Sequence, residues 1–285
     1  TDPEQWRSER MTAFPGTELF WHKMETLAGI AWDVSSRPFP WPPESINDLF
    51  TLTRSLRPSM LRALPYLRHT TGDLISSADP MFHTFLDAQL LISAQTTSKY
   101  ANALYGSAAL SLPRRGVNHV QGGIGALAET LVKWIRQNGG AVIYRQQVTN
   151  IELKNGRAAA VTTKKGLRLE ADNVVANLTP WALQNLLGKQ SPIKFTQKVE
   201  QRQATWGAFT LYLGVDTTQF PQNVPAHHQV ILDAARPLGE GNSVFVSMSD
   251  TYDASRAPDG KRAITLSTHT ELAPWWEMYK HNESA

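Results

Sequence analysis

Histidines are the side chains in this sequence best suited to moving protons near neutral pH, and no cysteine adds a thiol. His119 lies just before the glycine pair Gly122-Gly123 and is a weak candidate for a group that handles a proton. His227 and His228 are neighbours near a predicted strand, so in a strand their side chains would point to opposite faces and could not bind one metal ion together. The sequence predicts no metal site and leaves other catalytic residues unknown.

The composition and the absence of common motifs argue against several classes of protein. The 285 residues are long enough for a real core, and 28 basic against 25 acidic residues leave a net charge of +3, too near neutral to indicate nucleic-acid binding. Neither a G-x-S-x-G nucleophile elbow nor a G-K-[ST] phosphate loop occurs. No apolar run reaches the roughly 18 to 20 residues of a membrane span.

Residues 116–187 are the most informative stretch. The glycine pair opens a predicted amphipathic helix that ends at Asn138-Gly139-Gly140. The apolar residues of this helix recur near the 3.6-residue period: Ile124, Leu127, Leu131, Trp134 and Ile135. The Asn155-Gly156 pair favours a tight hairpin. The strands of this stretch are predicted at residues 141–144, 148–153, 158–163, 167–170 and 173–177, the last of them buried.

The segment before this stretch is predicted to be helical, and the segment after it is predicted to form strands. Aromatic residues between positions 6 and 27 recur at helical spacing, which indicates either a packed helical subdomain or the wall of an apolar tunnel. Asp79-Pro80 suits a helix start, since an N-cap residue precedes a proline at the first helical position. On the C-terminal side, an antiparallel sheet is predicted from strands at residues 205–215, 229–232, 243–249 and 262–269.

The motif order between Gly122 and Asn177 resembles that of flavin-dependent desaturases of the phytoene desaturase type. The order is a glycine pair, spaced leucines, a second glycine pair, V-x-x-I, a hairpin and D-x-V-V-x-N. That family includes carotene isomerases and retinol saturases and is related to the flavin amine oxidases. The segments 2–16, 58–72 and 264–276 look most like bacterial and cyanobacterial carotenoid 3,4-desaturases. The resemblance therefore covers nearly the whole chain.

The resemblance implies FAD as cofactor, with hydride transfer from an allylic carbon to the flavin. It places the backbone of Val148 against the adenine, and it places Ala176, Asn177 and Leu178 in a turn that approaches the FAD. Gly122 and Gly123 match the family's glycine pair, where missing side chains let backbone or ligand come close. The alternative for these residues is a purely structural role, as a tight-turn glycine or a core apolar residue.

Two family segments are not found. Relatives begin with a strand, a G-x-G-x-x-G turn and a helix that holds the FAD pyrophosphate. They end with a G-D strand and a helix that close over the flavin. We therefore expect the chain to be an internal fragment of a longer enzyme. We expect that fragment to be inactive alone and to purify without FAD.

Arginines interleave with apolar residues between positions 46 and 68, where no acid lies between Asp48 and Asp73. A basic amphipathic segment of this kind can lie in a membrane interface and admit an apolar substrate. The alternative is an ordinary solvated basic face over a core helix. The candidate membrane and substrate-entry residues are Arg54, Arg57, Arg62, Arg68, Leu61 and Leu64.

The elements together predict an α+β fold, taken from an α/β FAD-binding two-domain architecture. Residues 1–115 would form the helical, membrane-facing part of a substrate domain, 116–190 the inner part of the FAD-binding domain, and 191–285 the antiparallel sheet of the substrate domain.

The predicted function is FAD-dependent desaturation of a long apolar polyene such as a carotene. A carotene cis-trans isomerase and a retinol-type saturase remain alternatives because they share the fold. A cofactor-less fragment that binds apolar ligands or membranes is an alternative of a different class. The predicted location is cytoplasmic and peripherally membrane-associated, on a thylakoid or plasma membrane in a photosynthetic cell.

Overall fold

The computed structural model describes residues 2–37, 43, 45–55, 57–77, 79–116, 118–202, 206–221 and 224–281, without the side chain of Lys280. Helices and antiparallel strands make up these ranges, which confirms the predicted α+β class. The chain divides into two compact units, residues 1–122 with 206–285, and residues 123–205. Among the described residues, no helix is both long and apolar enough to cross a bilayer.

The first unit begins with a helical block. Its helices are α1 (Pro3–Ala13), α2 (Glu18–Ser35), α3 (Ile46–Ser55), α4 (Pro58–Leu61), α5 (Pro80–Ala94), α6 (Ala103–Leu110) and α7 (Leu112–Arg115). Helix α5 starts at the predicted cap, where the Met81 amide donates to Asp79 Oδ1 at 2.9 Å. Residues 39–42, which with Pro43 form a proline-rich stretch of the sequence, and Leu56 lie outside the described residues.

The core of the first unit lies between α2, α5 and α6. Its most buried side chains include Phe82, Leu86 and Leu90 of α5, together with Met24 and Leu27 of α2. The aromatic residues near the N-terminus belong to this core, because Phe20 and Trp21 meet Phe82 edge to face. The packed-subdomain interpretation is therefore the one that the structure supports.

The same unit contains a four-stranded antiparallel sheet. Its strands are β4 (Trp206–Asp216), β5 (His227–Ile231), β6 (Ser243–Met248) and β7 (Lys261–Glu271), in the order β4-β7-β6-β5, and α11 (Leu272–His281) follows. Leu211 of β4 pairs with Leu266 of β7, which pairs with Val246 of β6. The sheet agrees with the four strands predicted from the sequence, although Thr205 lies outside the described residues.

The second unit holds α8 (Gly123–Gln137), a meander of β1 (Val148–Lys154), β2 (Arg157–Thr163) and β3 (Arg168–Glu170), and then α9 (Pro180–Leu187) and α10 (Ile193–Glu200). The hairpin between β1 and β2 forms at Asn155-Gly156, as predicted, with both residues at positive φ. Helix α8 ends at Gln137, and a Cβ on Gly140, just beyond this end, would lie 2.6 Å from Ile135 Cγ2. A residue with a Cβ at this position would therefore require Ile135 to move, so glycine suits it best.

Two predicted strands of the second unit are wrong. Residues 141–144 and 173–177 form no strand, and Val175 is 96% exposed rather than buried. A strand needs a hydrogen-bonding neighbour, and the described residues supply none beside either segment. The predicted apolar face of α8 also stays exposed, from Ile124 to Ile135, although the helix itself forms as expected.

The compact units do not follow the predicted domain limits. Their boundaries fall after residues 122 and 205, later in the chain than the predicted limits after 115 and 190. The helical block and the C-terminal sheet, predicted as two parts of one substrate domain, belong to the same unit. Thr84 of α5 donates to the Ala234 carbonyl beside that sheet at 3.4 Å. The assignment of the units to substrate and cofactor domains stays a prediction.

Candidate functional site

A cleft of about 950 Å³ opens on the second unit beside the meander, and we call it the meander cleft. Its wall includes Val148, Ile151, Val161, Ala176, Asn177 and Leu178. The structure thus brings four of the six predicted cofactor-binding residues to one place: Val148, Ala176, Asn177 and Leu178. The volume lies within the roughly 300 to 1,000 Å³ that is usual for small-molecule sites.

Hydrogen bonds hold the meander that carries this cleft. Val148 begins β1 opposite Thr163, and the Lys164 amide donates to the Gln147 carbonyl at 2.8 Å. Arg168 of β3 reaches Glu152 of β1 with two parallel bonds, from Nε at 3.0 Å and from Nη2 at 2.8 Å. Hydrogen bonds from Arg168 and then Thr162 hold the pKa of the Glu152 carboxyl below its usual value. This pairing spans all three strands and fixes their register.

The segment from Asn173 to Leu178 lines the other side of the cleft and is neither helix nor strand. Its amides and carbonyls make no backbone hydrogen bond to the residues that the structure describes. The segment ends where Thr179 caps α9, accepting from the Ala182 amide at 3.3 Å. The unpaired amides and carbonyls beside apolar side chains are free to bond a polar, planar ligand.

Gly122 and Gly123 do not line the meander cleft. Both lie at positive φ, 79° and 74°, a conformation that suits glycine. The Gly122 amide already donates to Asp253 Oδ2 at 2.9 Å. Hydrogen bonds from the Ser255 hydroxyl and from this amide lower the pKa of the Asp253 carboxyl. The glycine pair therefore has a visible structural role, and its cofactor role stays a prediction.

His119 takes part in a chain of polar contacts within the first unit. Its Nδ1 lies 2.8 Å from Asp250 Oδ2, and its Nε2 lies 3.3 Å from Nε2 of His227. A carboxylate only accepts hydrogen bonds, so Nδ1 of neutral His119 carries the proton and Nε2 presents its lone pair. His227 then donates from its own Nε2. The arrangement resembles an acid–histidine pair in which a carboxylate orients a base.

The surroundings set the proton affinity of this cluster. Partial burial lowers the pKa of His227, and the charge of a protonated His119 lowers it further. The His227 ring stacks on Phe245, with ring centres 5.7 Å apart. The hydroxyl of Tyr252 donates to Asp250, and this bond is the main reason why the pKa of Tyr252 is raised. No group of three or more His, Asp or Glu side chains within the described ranges could hold a metal ion.

Sequence reasoning missed Asp250, Asp253 and the contact of His227 with His119. The adjacent histidines were considered only as a pair, and in the sheet their side chains do face apart: His228 bonds the Pro225 carbonyl at 2.8 Å. The available signal was a loop with acidic and turn-forming residues at 250–255. That signal indicates a turn, but it does not reveal a partner 131 residues away.

The predicted entry residues lie on α3, α4 and the turn that follows, and we call residues 46–68 the basic-apolar segment. Arg54, Arg57, Arg62, Arg68, Leu61 and Leu64 are all exposed. Helix α3 has no buried residue, so it is not the core helix of the alternative interpretation. Arg57 lies 3.5 Å from Asp33 Oδ1, an ion pair across the helical block.

One face of the four-stranded sheet is apolar and half-exposed, and we call it the apolar sheet face. It carries Phe209, Leu211, Leu213, Val244, Val246 and Leu266, which share one side of the sheet by strand register. Leu211 is 46% exposed, and Trp275 of α11 stacks on Phe209 with ring centres 6.3 Å apart. Such a face suits a long apolar molecule.

The chain is similar to proteins of known family. The profile of the flavin containing amine oxidoreductases matches residues 48–280. A chloroplastic prolycopene isomerase of Daucus carota is 27% identical over 75% of this chain and 36% of its own length. A zeta-carotene-forming phytoene desaturase of Myxococcus xanthus is 29% identical over 59% of this chain and 34% of its own length.

A solved structure gives the same fold. The crystal structure of an oxidoreductase from Methanosarcina mazei superposes with a TM-score of 0.58, at 20% identity, over 84% of this chain and 58% of that one. The chain spans about a third of the length of the two curated relatives named above.

Proposed function

The chain belongs to the flavin containing amine oxidoreductase family, and on that premise we propose that it acts in the FAD-dependent desaturation of a long apolar polyene of the carotenoid type. The family match across residues 48–280 carries this proposal, because it spans most of the sequence. Family membership agrees with the sequence prediction of a flavin oxidoreductase with FAD as cofactor. The polyene is inferred from relatives named as carotene desaturases and isomerases.

The residues of the meander cleft fit a flavin dinucleotide. Apolar side chains such as Val148 and Ile151 offer a surface for a flat aromatic ring. The free amides and carbonyls between Asn173 and Leu178 offer hydrogen bonds to its polar edges. Val148, Ala176, Asn177 and Leu178 are therefore the residues that would hold the cofactor.

The protein's contribution to the reaction is binding, orientation and exclusion of water. When bound, FAD supplies the acceptor for a hydride. The apolar sheet face, with Leu211 and Leu266 at its centre, would hold the polyene away from water. His119, whose Nδ1–H donates to Asp250, contacts His227. The side chain of His227 lies by strand register on the other side of the sheet from Leu211, so the geometry gives His119 no part in the reaction of a polyene on the apolar sheet face.

A matched pair of variants tests the role of the sheet face. Leu211→Glu places a charge on the apolar sheet face, while Tyr212→Glu places it one residue on, on the opposite face, at a position 79% exposed. In the longer enzyme that the sequence predicts around this chain, supplied with FAD and with phytoene in vesicles, we expect Leu211→Glu to lower polyene binding and turnover by at least about tenfold, because a carboxylate is costly to bury. Tyr212→Glu should retain both.

The products distinguish the alternatives. Chromatography with absorption spectra identifies the product. Desaturation adds conjugated double bonds, whereas isomerisation gives a new isomer with the same number of double bonds. If Leu211→Glu and Tyr212→Glu lose polyene binding to the same degree, the apolar sheet face does not hold the polyene. Isomerisation without any gain of double bonds would overturn desaturation as the reaction.

We also propose that the basic-apolar segment places the protein at a membrane surface, where apolar polyenes dissolve. Exposed arginines and leucines alternate along this segment, and Phe50 is 64% exposed beside them. Arginines favour anionic headgroups, while the apolar side chains enter the boundary of the acyl chains. This arrangement supports peripheral membrane association and entry of the substrate at Leu61 and Leu64.

A further inference from the structure

His119 and His227 form a pair whose ring nitrogens face each other. Nε2 of His119 lies 3.3 Å from Nε2 of His227, although 108 residues separate the two in the chain. His227 begins β5, and His119 lies in the segment between α7 and α8. Both residues are exposed, and the side chain of His119 retains 29% of its accessible surface. The pair is therefore open to water and to small ions.

Neighbouring side chains hold both rings in place. Nδ1 of His119 donates to Asp250 Oδ2 at 2.8 Å, and the Tyr252 hydroxyl donates to the same carboxyl group. The ring of His227 stacks on Phe245, with the ring planes 10° apart. In metalloproteins, a histidine ligand nearly always donates its other ring N–H to a carboxylate, a backbone carbonyl or water. His119 already has this arrangement, which leaves its Nε2 free to bind an ion.

The distance between the two nitrogens suits one coordination geometry. Zinc–imidazole bonds of about 2.0 to 2.1 Å at tetrahedral angles place two ligand nitrogens roughly 3.3 to 3.4 Å apart. Ligands at right angles, as in square-planar or octahedral sites, would lie only about 2.8 to 3.0 Å apart at the same bond lengths. The observed 3.3 Å matches the tetrahedral spacing. We propose that His119 and His227 bind one Zn²⁺ ion through their Nε2 atoms.

Binding requires a lone pair on both Nε2 atoms. Neutral His119 presents one, because its proton lies on Nδ1 and faces Asp250. His227 would move its proton from Nε2 to Nδ1, a change of tautomer that releases no proton. No third His, Asp or Glu among the described residues is placed to bind the same ion, so water would occupy the remaining positions of the tetrahedron.

The ion would tie the segment before Gly122 to the four-stranded sheet. The Gly122 amide already bonds Asp253 Oδ2 at 2.9 Å, so the ion would add a second attachment of this segment within the first unit. A ligand that binds only the folded state stabilises it by mass action, so Zn²⁺ should raise the melting temperature. This role involves neither FAD nor the polyene, and its test does not depend on turnover.

Isothermal titration calorimetry with Zn²⁺ tests the proposal on the full chain, freed of metal by a chelator and held at about pH 7.5, above the usual pKa of imidazole. We expect one saturable site for Zn²⁺ and none for Mg²⁺, which prefers oxygen ligands. His119→Gln and His227→Gln each remove one ligand and should weaken Zn²⁺ binding by at least about tenfold. His228→Gln is the matched control, because it removes the neighbouring imidazole, which bonds the Pro225 carbonyl, and it should bind Zn²⁺ as the parent protein does.

Asp250→Asn keeps both ligands and removes the charge that orients His119, so it should weaken Zn²⁺ binding by about tenfold. This variant decides the question if a histidine variant does not fold, which circular dichroism checks. The rise in melting temperature with Zn²⁺ should occur in the parent protein and in His228→Gln, and it should vanish in His119→Gln. Absence of saturable Zn²⁺ binding, equal binding of Mg²⁺, unchanged affinity in the folded variants, or an equal loss in His228→Gln would overturn the proposal.

Discussion

The contact between His119 and His227 needs at least one of the two imidazoles to be neutral, because one nitrogen must accept the hydrogen bond. Partial burial, reinforced by the charge of a protonated His119, lowers the pKa of His227 below 6.5 in the folded state. As the pH falls below that value, the unfolded chain binds a proton that folded His227 resists. The free energy of unfolding therefore falls with the pH until the folded pKa is reached. His269 adds a contribution of the same sign, since burial lowers its pKa too.

His227→Gln tests this dependence. A glutamine amide can still donate to Nε2 of His119, but it does not titrate. We expect the loss of stability between about pH 7.5 and about pH 5.5 to shrink by on the order of 0.5 kcal/mol, a small value because solvent screens a partly exposed group. Urea unfolding at each pH measures this change.

The control for this test is His22→Gln, which removes an imidazole from an exposed position of α2. A pH profile of His227→Gln that runs parallel to that of the parent protein would contradict the assigned coupling. A part of the pH dependence should survive in His227→Gln, because His269 is still present.

At the scale of elements, α5 and α8 are helices of equal length, 15 residues each, that differ in what their leucines contact. Leu86 of α5 is fully buried, whereas Leu127 of α8 is 49% exposed. We expect Leu86→Ala to lower the free energy of unfolding by about 2 to 5 kcal/mol, because it leaves a cavity in the core. Leu127→Ala should change it by no more than about 0.5 kcal/mol.

Chemical denaturation followed by circular dichroism measures both effects. The two leucine-to-alanine changes remove the same atoms from helices, so intrinsic helix propensity is matched between them. A loss at Leu127 as large as that at Leu86 would show that α8 is packed in solution, contrary to its exposure in the structure.

Local signals explain which elements the sequence predicts correctly. The turn at Asn155-Gly156 and the cap at Asp79 depend on neighbours in the chain, and both formed as expected. Residues 141–144 and 173–177 have strand-like composition, but a strand also requires a partner, which composition does not supply. The two strands were therefore predicted wrongly because neither segment has a hydrogen-bonding neighbour, not because the residue pattern was misread.

The candidate site was predictable to a smaller degree. The family resemblance assigned Val148 and Ala176 to the same cofactor, and both residues line the meander cleft, although their role in binding FAD stays a prediction. The cluster of His119 with Asp250 was not predictable, because nothing in a single sequence links side chains so far apart in the chain.

For the molecule as a whole, the basic-apolar segment gives the most direct test of where the protein works. Each basic residue near an anionic surface contributes about 1 kcal/mol of attraction. Reversing Arg57, Arg62 and Arg68 to glutamate should therefore weaken association with phosphatidylserine-containing liposomes by roughly a hundredfold or more, as measured by co-sedimentation. The effect should fade at high salt, which screens exposed charges.

The chain offers a matched control for this charge change. Arg157, Lys164 and Lys165 are exposed around the meander hairpins, so their replacement by glutamate alters the net charge equally at another place. If both triple variants lose binding to the same degree, the attraction comes from overall charge and not from the basic-apolar segment. Loss in the arginine variant alone places the membrane contact on α3, α4 and the turn that follows, where exposed leucines lie between the exposed arginines.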